Sequence, residues 1–164
     1  MELTGISNLC GQLNLAGLQK VEYVPTTWVD VAGYNDIVVP GHTRLEAVPL
    51  DSGKAWLTMP LLPAGKLWSE SPDRSAQGKS YEQQVAGTTP RLTHAASGEL
   101  EQMDEYRYLL RLTDRNGLMW ILGTLNTPFD FSHQQNTGDE TGLAAYTVRW
   151  VSATRRKAVG FVAG

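Results

Sequence analysis

The sequence predicts a mainly β chain: a single-domain β-sandwich or barrel with one short flanking helix and a long projecting loop or hairpin. Three observations lead there. The 16 Gly and 8 Pro in 164 residues are scattered without a period, which demands many turns and argues against both a helical bundle and a collagen-like chain. The apolar runs are short, rich in β-branched and aromatic residues, and closed by turn residues. Only one run combines helical spacing with a capping residue. The length fits one domain, 1–164, large enough to bury roughly two-thirds of its unfolded surface.

Along the chain, Gln19–Asp30 reads as a strand whose Pro25 marks a bulge or an edge. Asp36–Pro40 and Leu45–Leu50 are short runs parted by Gly41, and Ala55–Leu61 follows the turn Asp51-Ser52-Gly53. Residues 62–80 are polar around one apolar knot, Leu67-Trp68. Unstructured loops longer than about 12–15 residues are uncommon in compact domains, so this is either a functional loop or a projecting hairpin. Tyr81–Thr93 resumes strand character, with Pro90 near its end. The spacing predicts a helix over Ser97–Tyr106, with Ser97 as its cap and Glu99 and Glu101 near the positive end of its dipole.

Asn116-Gly117 lies between Tyr106–Leu112 and Leu118–Leu122, and Asn-Gly between such runs signals a two-residue hairpin turn. Pairing Arg115 with Leu118 puts Leu112 opposite Ile121, so Tyr106, Tyr108, Leu110, Leu112, Met119 and Ile121 form the core face. Phe129 and Phe131 flank Asp130 in a short strand, Ser132–Gly142 is a polar loop, Leu143–Val151 is a strand, and Ala158–Val162 closes the chain. About nine strands and one helix result, with no internal repeat.

Net charge is −3, unlike a nucleic-acid coat or a polybasic membrane binder. Arg149, Arg155, Arg156 and Lys157 form a basic terminus without an acid, on a body of net −7; a solvated strand and turn accounts for it. The lone Cys10 excludes an internal disulfide, and without a cation or histidine beside it the thiol reads as structural. The start of the chain lacks signal-peptide character and no run spans a bilayer, so the expectation is a protein kept inside a cell or released by lysis. His42, His94 and His133 are scattered and read as surface or turn residues, with no metal-ligand spacing. Gly78-Lys79-Ser80 lacks the glycine five positions earlier that a phosphate loop needs. Asp130, Asp139 and Glu140 lack the ligand alternation of calcium loops. No enzyme, cofactor or metal site is expected. Trp28, Trp56, Trp120 and Trp150 read as sheet-packing residues, whereas Trp68 reads either as an anchor for another protein surface or as a clamp holding its own segment.

The run Tyr106–Trp150, with its Asp-Arg-Asn-Gly turn, Met119–Thr124, Pro128–Ser132, Thr137-Gly138 and the last strand, resembles the C-terminal half of short tail proteins encoded by phages and prophages. The resemblance covers about residues 80–164. It is to the tail-tube family, which implies a β-sandwich or barrel with a flanking helix, assembly into hexameric rings stacked as a tube, other tail proteins as partners, and no catalytic residues. It further implies a place in the virion, assembled in the host cytoplasm, with nucleic acid met only in passage through a lumen. An acidic body suits such a lumen, because like charge suppresses phosphate contacts. On that expectation Leu62, Leu67 and Trp68 are the assembly-interface candidates. The alternative is a β-barrel binding a small ligand, with an apolar interior and a few polar groups at its mouth.

Overall fold

The computed structural model describes residues 15–36, 38, 43–90, 93–137 and 144–162. The strands are β1 (Leu18–Pro25), β2 (Thr43–Arg44), β3 (Leu57–Thr58), β4 (Leu67–Ser75), β5 (Gly78–Thr88), β6 (Arg107–Asp114), β7 (Met119–Leu122), β8 (Phe129–Asn136), β9 (Ala145–Thr154) and β10 (Val159–Phe161). The helix α1 (His94–Met103) sits between β5 and β6 in the chain. The ten strands join in one hydrogen-bonded sheet, in the path β2-β10-β7-β6-β8-β9-β5-β4, with β1 on the other edge of β6 and β3 beyond it. The sheet does not close, so the molecule is sandwich-like and not a barrel.

The branch at β6 builds the core. Its start pairs with β8 (Arg107↔Asp130, Tyr108↔Phe129) and its later part with β7, while β1 covers the opposite edge from Leu18 to Pro25. Two wings therefore leave one strand and fold over a shared interior. Tyr108, Leu110 and Leu112 meet Val85, Phe129, Phe131, Val148 and Trp150 there. The opposite face of β6 is also covered: Leu109, Val24 and Ile121 pack with Val29 and Val48. Each fully buried aliphatic or aromatic side chain contributes about 1.5–3 kcal/mol by leaving water.

One buried charge is built into this frame. Glu22 on β1 is cross-strand partner of Arg111 on β6 and accepts from its Nε and Nη2 at 2.8 and 2.9 Å. Lys20 Nζ adds a contact at 2.7 Å, and the Arg111 guanidinium lies over the Trp56 ring. Burial works against ionisation of Glu22, but its bonds to Arg111 and Lys20 outweigh that and hold its pKa below the ordinary value.

Several sequence expectations are corrected. The Asn116-Gly117 hairpin exists, but its loop has three residues, and the register is one residue off. Asp114 N donates to Leu118 O, Gly117 N donates to Asp114 O, and the Asp114 carboxylate accepts from Asn116 N and Leu118 N. That side-chain cap favours a loop with positive φ at Gly117 alone (82°) over a two-residue turn needing it twice. Leu112 thus faces Trp120, not Ile121. Because side chains alternate, Trp120 and Leu122 join the larger core, while Ile121 moves to the opposite face. Tyr106, expected in the core, precedes β6 and is 45% exposed.

The helix begins three residues earlier than expected and ends by Met103. Its cap is Thr93, whose hydroxyl accepts from Ala96 N, so Glu99 and Glu101 fall outside the first turn. The chain from Ser132 to Asn136, expected as loop, continues β8 against β9. Of Leu45–Leu50 only Leu50 pairs, in a single bridge with Val29. Residues 67–75 and 78–80 belong to a long hairpin, which corrects the loop expected over 62–80 and agrees with the projecting hairpin. The expected strand Asp36–Pro40 lies largely outside the described residues.

Candidate functional site

Nine residue pairs zip β4 to β5, from Leu67↔Ala86 to Ser75↔Gly78, and β5 pairs on its other edge with β9. This leaves β4 as an edge strand, exposed along most of its length. Its outer half carries Pro72, Asp73 and Arg74, which remove a backbone donor and add charge, as protected edges do. Its base differs. Trp68 turns inward and meets Trp120 of β7 with ring centroids 5.3 Å apart, packing against the larger core.

Trp68 also lines a groove of about 730 Å³ with Leu118, Trp120, Phe161 and Val162, flanked by Glu70 and Lys157. Leu118 and Val162 are 57% and 56% exposed. Exposed apolar residues clustered this way make the groove a candidate interaction surface. Of the sequence candidates, Trp68 reaches this groove. Leu67, its neighbour on β4, is exposed on the other face of the strand, as alternation requires, and Leu62 is half-buried, donating from its backbone to Thr88 O. Leu118, Phe161 and Val162 were missed by sequence reasoning; the clue was an apolar Leu118 immediately after a turn glycine.

A second concavity of about 630 Å³ separates α1 from β1 and β3. Tyr23, Trp28, Met59, Leu100, Met103 and Tyr106 are among its walls, and Glu99 is its charged group among the described lining residues. Tyr23 stands edge-on to Tyr108 at 5.6 Å, and its phenol is pushed up by burial and by Glu99. Tyr108, raised chiefly by burial, donates its hydroxyl to Met103 O and ties the sheet to the end of α1.

The remaining candidates are placed apart from these surfaces. His133 of β8 lies 3.1 Å from Asp104 and stacks on Phe131, while His94 opens α1. Gly78-Lys79-Ser80 begins a strand, with Lys79 over the Tyr81 ring. Asp130 pairs with Arg107 at 3.2 Å. Cys10, His42, Asp139 and Glu140 lie outside the described residues. No group of His, Cys, Asp or Glu able to hold a metal occurs among the described residues, and none of their helices is long and apolar enough to cross a membrane. Comparison with protein-family models, with curated proteins and with solved structures finds no match.

Proposed function

We propose that the protein is a structural, tail-tube-like subunit that assembles with copies of itself, as rings that stack into a tube. The observation that carries this reading is the apolar groove at the base of the β4–β5 hairpin, where Trp68, Trp120 and Phe161 lie beside the exposed Leu118 and Val162. Contact there buries apolar surface, which is the main favourable term in association. The protected outer half of β4 directs the contact to side chains at the hairpin base and away from strand addition. The acidic balance of the chain before Arg149 suits a lumen that nucleic acid must pass without adhering.

A concentration series by light scattering, followed by negative-stain microscopy, tests the reading. Rings or tubes whose amount grows with concentration support it. A monomer at every concentration overturns it. The second reading, binding of a compact apolar ligand, is favoured by the cleft beside α1, whose volume falls in the range of small-molecule sites.

A further inference from the structure

One charge stands where the helix pattern calls for an apolar residue. Ala96, Glu99, Leu100 and Met103 of α1 follow the spacing i, i+3, i+4, i+7 of a single helix face, and all four line the cleft of about 630 Å³ beside β1 and β3. Leu100 is 5% exposed, so this face turns to the core, and Glu99 lies on its exposed margin. Glu99 has no ion pair among the described residues. The described lining of the cleft contains no Lys, Arg or His to neutralise it.

The other walls are rich in aromatic rings. Tyr23, Trp28, Tyr106 and Tyr108 line the same cleft. The planes of Tyr23 and Tyr108 stand at 79°, so the two rings make a corner and not a stack. Aromatic faces carry the negative part of the ring quadrupole and attract cations. Trp28 already shows this attraction, with Lys54 Nζ 4.5 Å from its ring centroid. The charge of Glu99 is also felt among the rings: after burial, it is what pushes the Tyr23 phenol up. The groove at the hairpin base differs, because Glu70 and Lys157 give it charges of both signs.

We propose that the cleft beside α1 binds a lipophilic organic cation, a quaternary ammonium on an aromatic or short alkyl body. The ammonium sits at the mouth by Glu99 and against the Tyr and Trp rings, while the body lies among Met59, Leu100 and Met103. A quaternary ammonium has no hydrogen bond to donate, so ring faces and one carboxylate satisfy it. The cleft has the volume of a small-molecule site, ample for such a ligand. The proposal rests on the second reading above, the cleft as a ligand site, and adds the charge of the ligand.

The probe is (4-hydroxymethylbenzyl)trimethylammonium, and the control is its neutral isostere, 4-neopentylbenzyl alcohol. The two match in shape, but the neutral one leaves water more readily, so an apolar cleft without charge selectivity favours the control. NMR titration and calorimetry are expected to show saturable binding of the cation at least fivefold tighter than the control. Glu99→Gln, a good helix former at an exposed position, should weaken the cation several-fold and leave the control within twofold. Tyr106→Leu, also at an exposed position, should weaken the cation more than the control and keeps the test open if Glu99→Gln does not fold. Control binding as tight as that of the cation, or an undiminished cation affinity in Glu99→Gln, overturns the proposal and leaves the cleft as a site for neutral ligands. Absence of saturable binding by either compound overturns the proposal together with the ligand-site reading.

Discussion

At the scale of single residues, Glu22 and Arg111 show how a charge is kept inside a β core. Each alone is expensive to bury, and the bidentate geometry with Lys20 as a third partner makes burial tolerable. Arg111→Met is expected to cost about 3 kcal/mol, because Glu22 is then buried with only Lys20 beside it. The double variant Glu22→Leu with Arg111→Met should recover most of that loss in denaturant midpoints. Equal losses in the single and double variants would show that the pair is not coupled. The lowered pKa fixes the sign of the acid response. The unfolded chain takes up the proton first, near the ordinary value of 4.5, so the contribution of Glu22 is present above that pH and is lost as pH falls through the lower folded value. Glu22→Gln should flatten this acid limb of the melting temperature.

At the scale of elements, the Asn116-Gly117 turn separates what a sequence shows from what it leaves open. Two alternating runs around Asn-Gly announce a hairpin, but loop length is set by whether the Asp114 side chain caps the turn, a choice that pattern alone does not make. That one residue decided which face of β7 is core. Helix α1 was legible from the spacing of Leu100 and Met103, but its start depended on Thr93, four residues before the Ser97 expected as its cap. The polar run 132–136 gave no strand signal because it is exposed on most positions and is held by β9 through backbone bonds. Of the candidate groove, Trp68 was legible as an aromatic in a polar stretch. Its neighbours Leu118 and Phe161 come from distant segments, and only the β10–β7 pairing brings them together. The turn carries its own prediction. Gly117 has φ 82° and nothing within 4 Å of a built Cβ, so substitution there meets backbone strain and no clash. Gly117→Val is expected to cost about 1–3 kcal/mol, while Gly117→Asn, which tolerates positive φ, should cost less than half as much. Unchanged midpoints in Gly117→Val would refute the turn.

At the scale of the whole molecule, the groove at the hairpin base serves two structures at once. Trp68 packs on Trp120 within the subunit and also walls the exposed groove, so Trp68→Ala weakens the fold as well as any contact and cannot separate the two. Exposed residues beside it can. Leu118 is 57% and Leu67 52% exposed, on the β7 turn and on the outer face of β4. A charge placed on either stays in water in the free subunit, so its cost to stability should be below about 0.5 kcal/mol. At an interface the same charge would be desolvated without a partner and would oppose association by several-fold or more. Leu118→Glu is therefore expected to shift self-association to higher concentration while leaving the denaturation midpoint unchanged. Leu67→Glu separates the two faces of the hairpin: an effect as large as that of Leu118→Glu extends the contact around the hairpin, and no effect confines it to the Trp68 side. If Leu118→Glu assembles as readily as the natural chain, the groove is not where subunits meet, and the cleft beside α1 becomes the better guide to what this protein does.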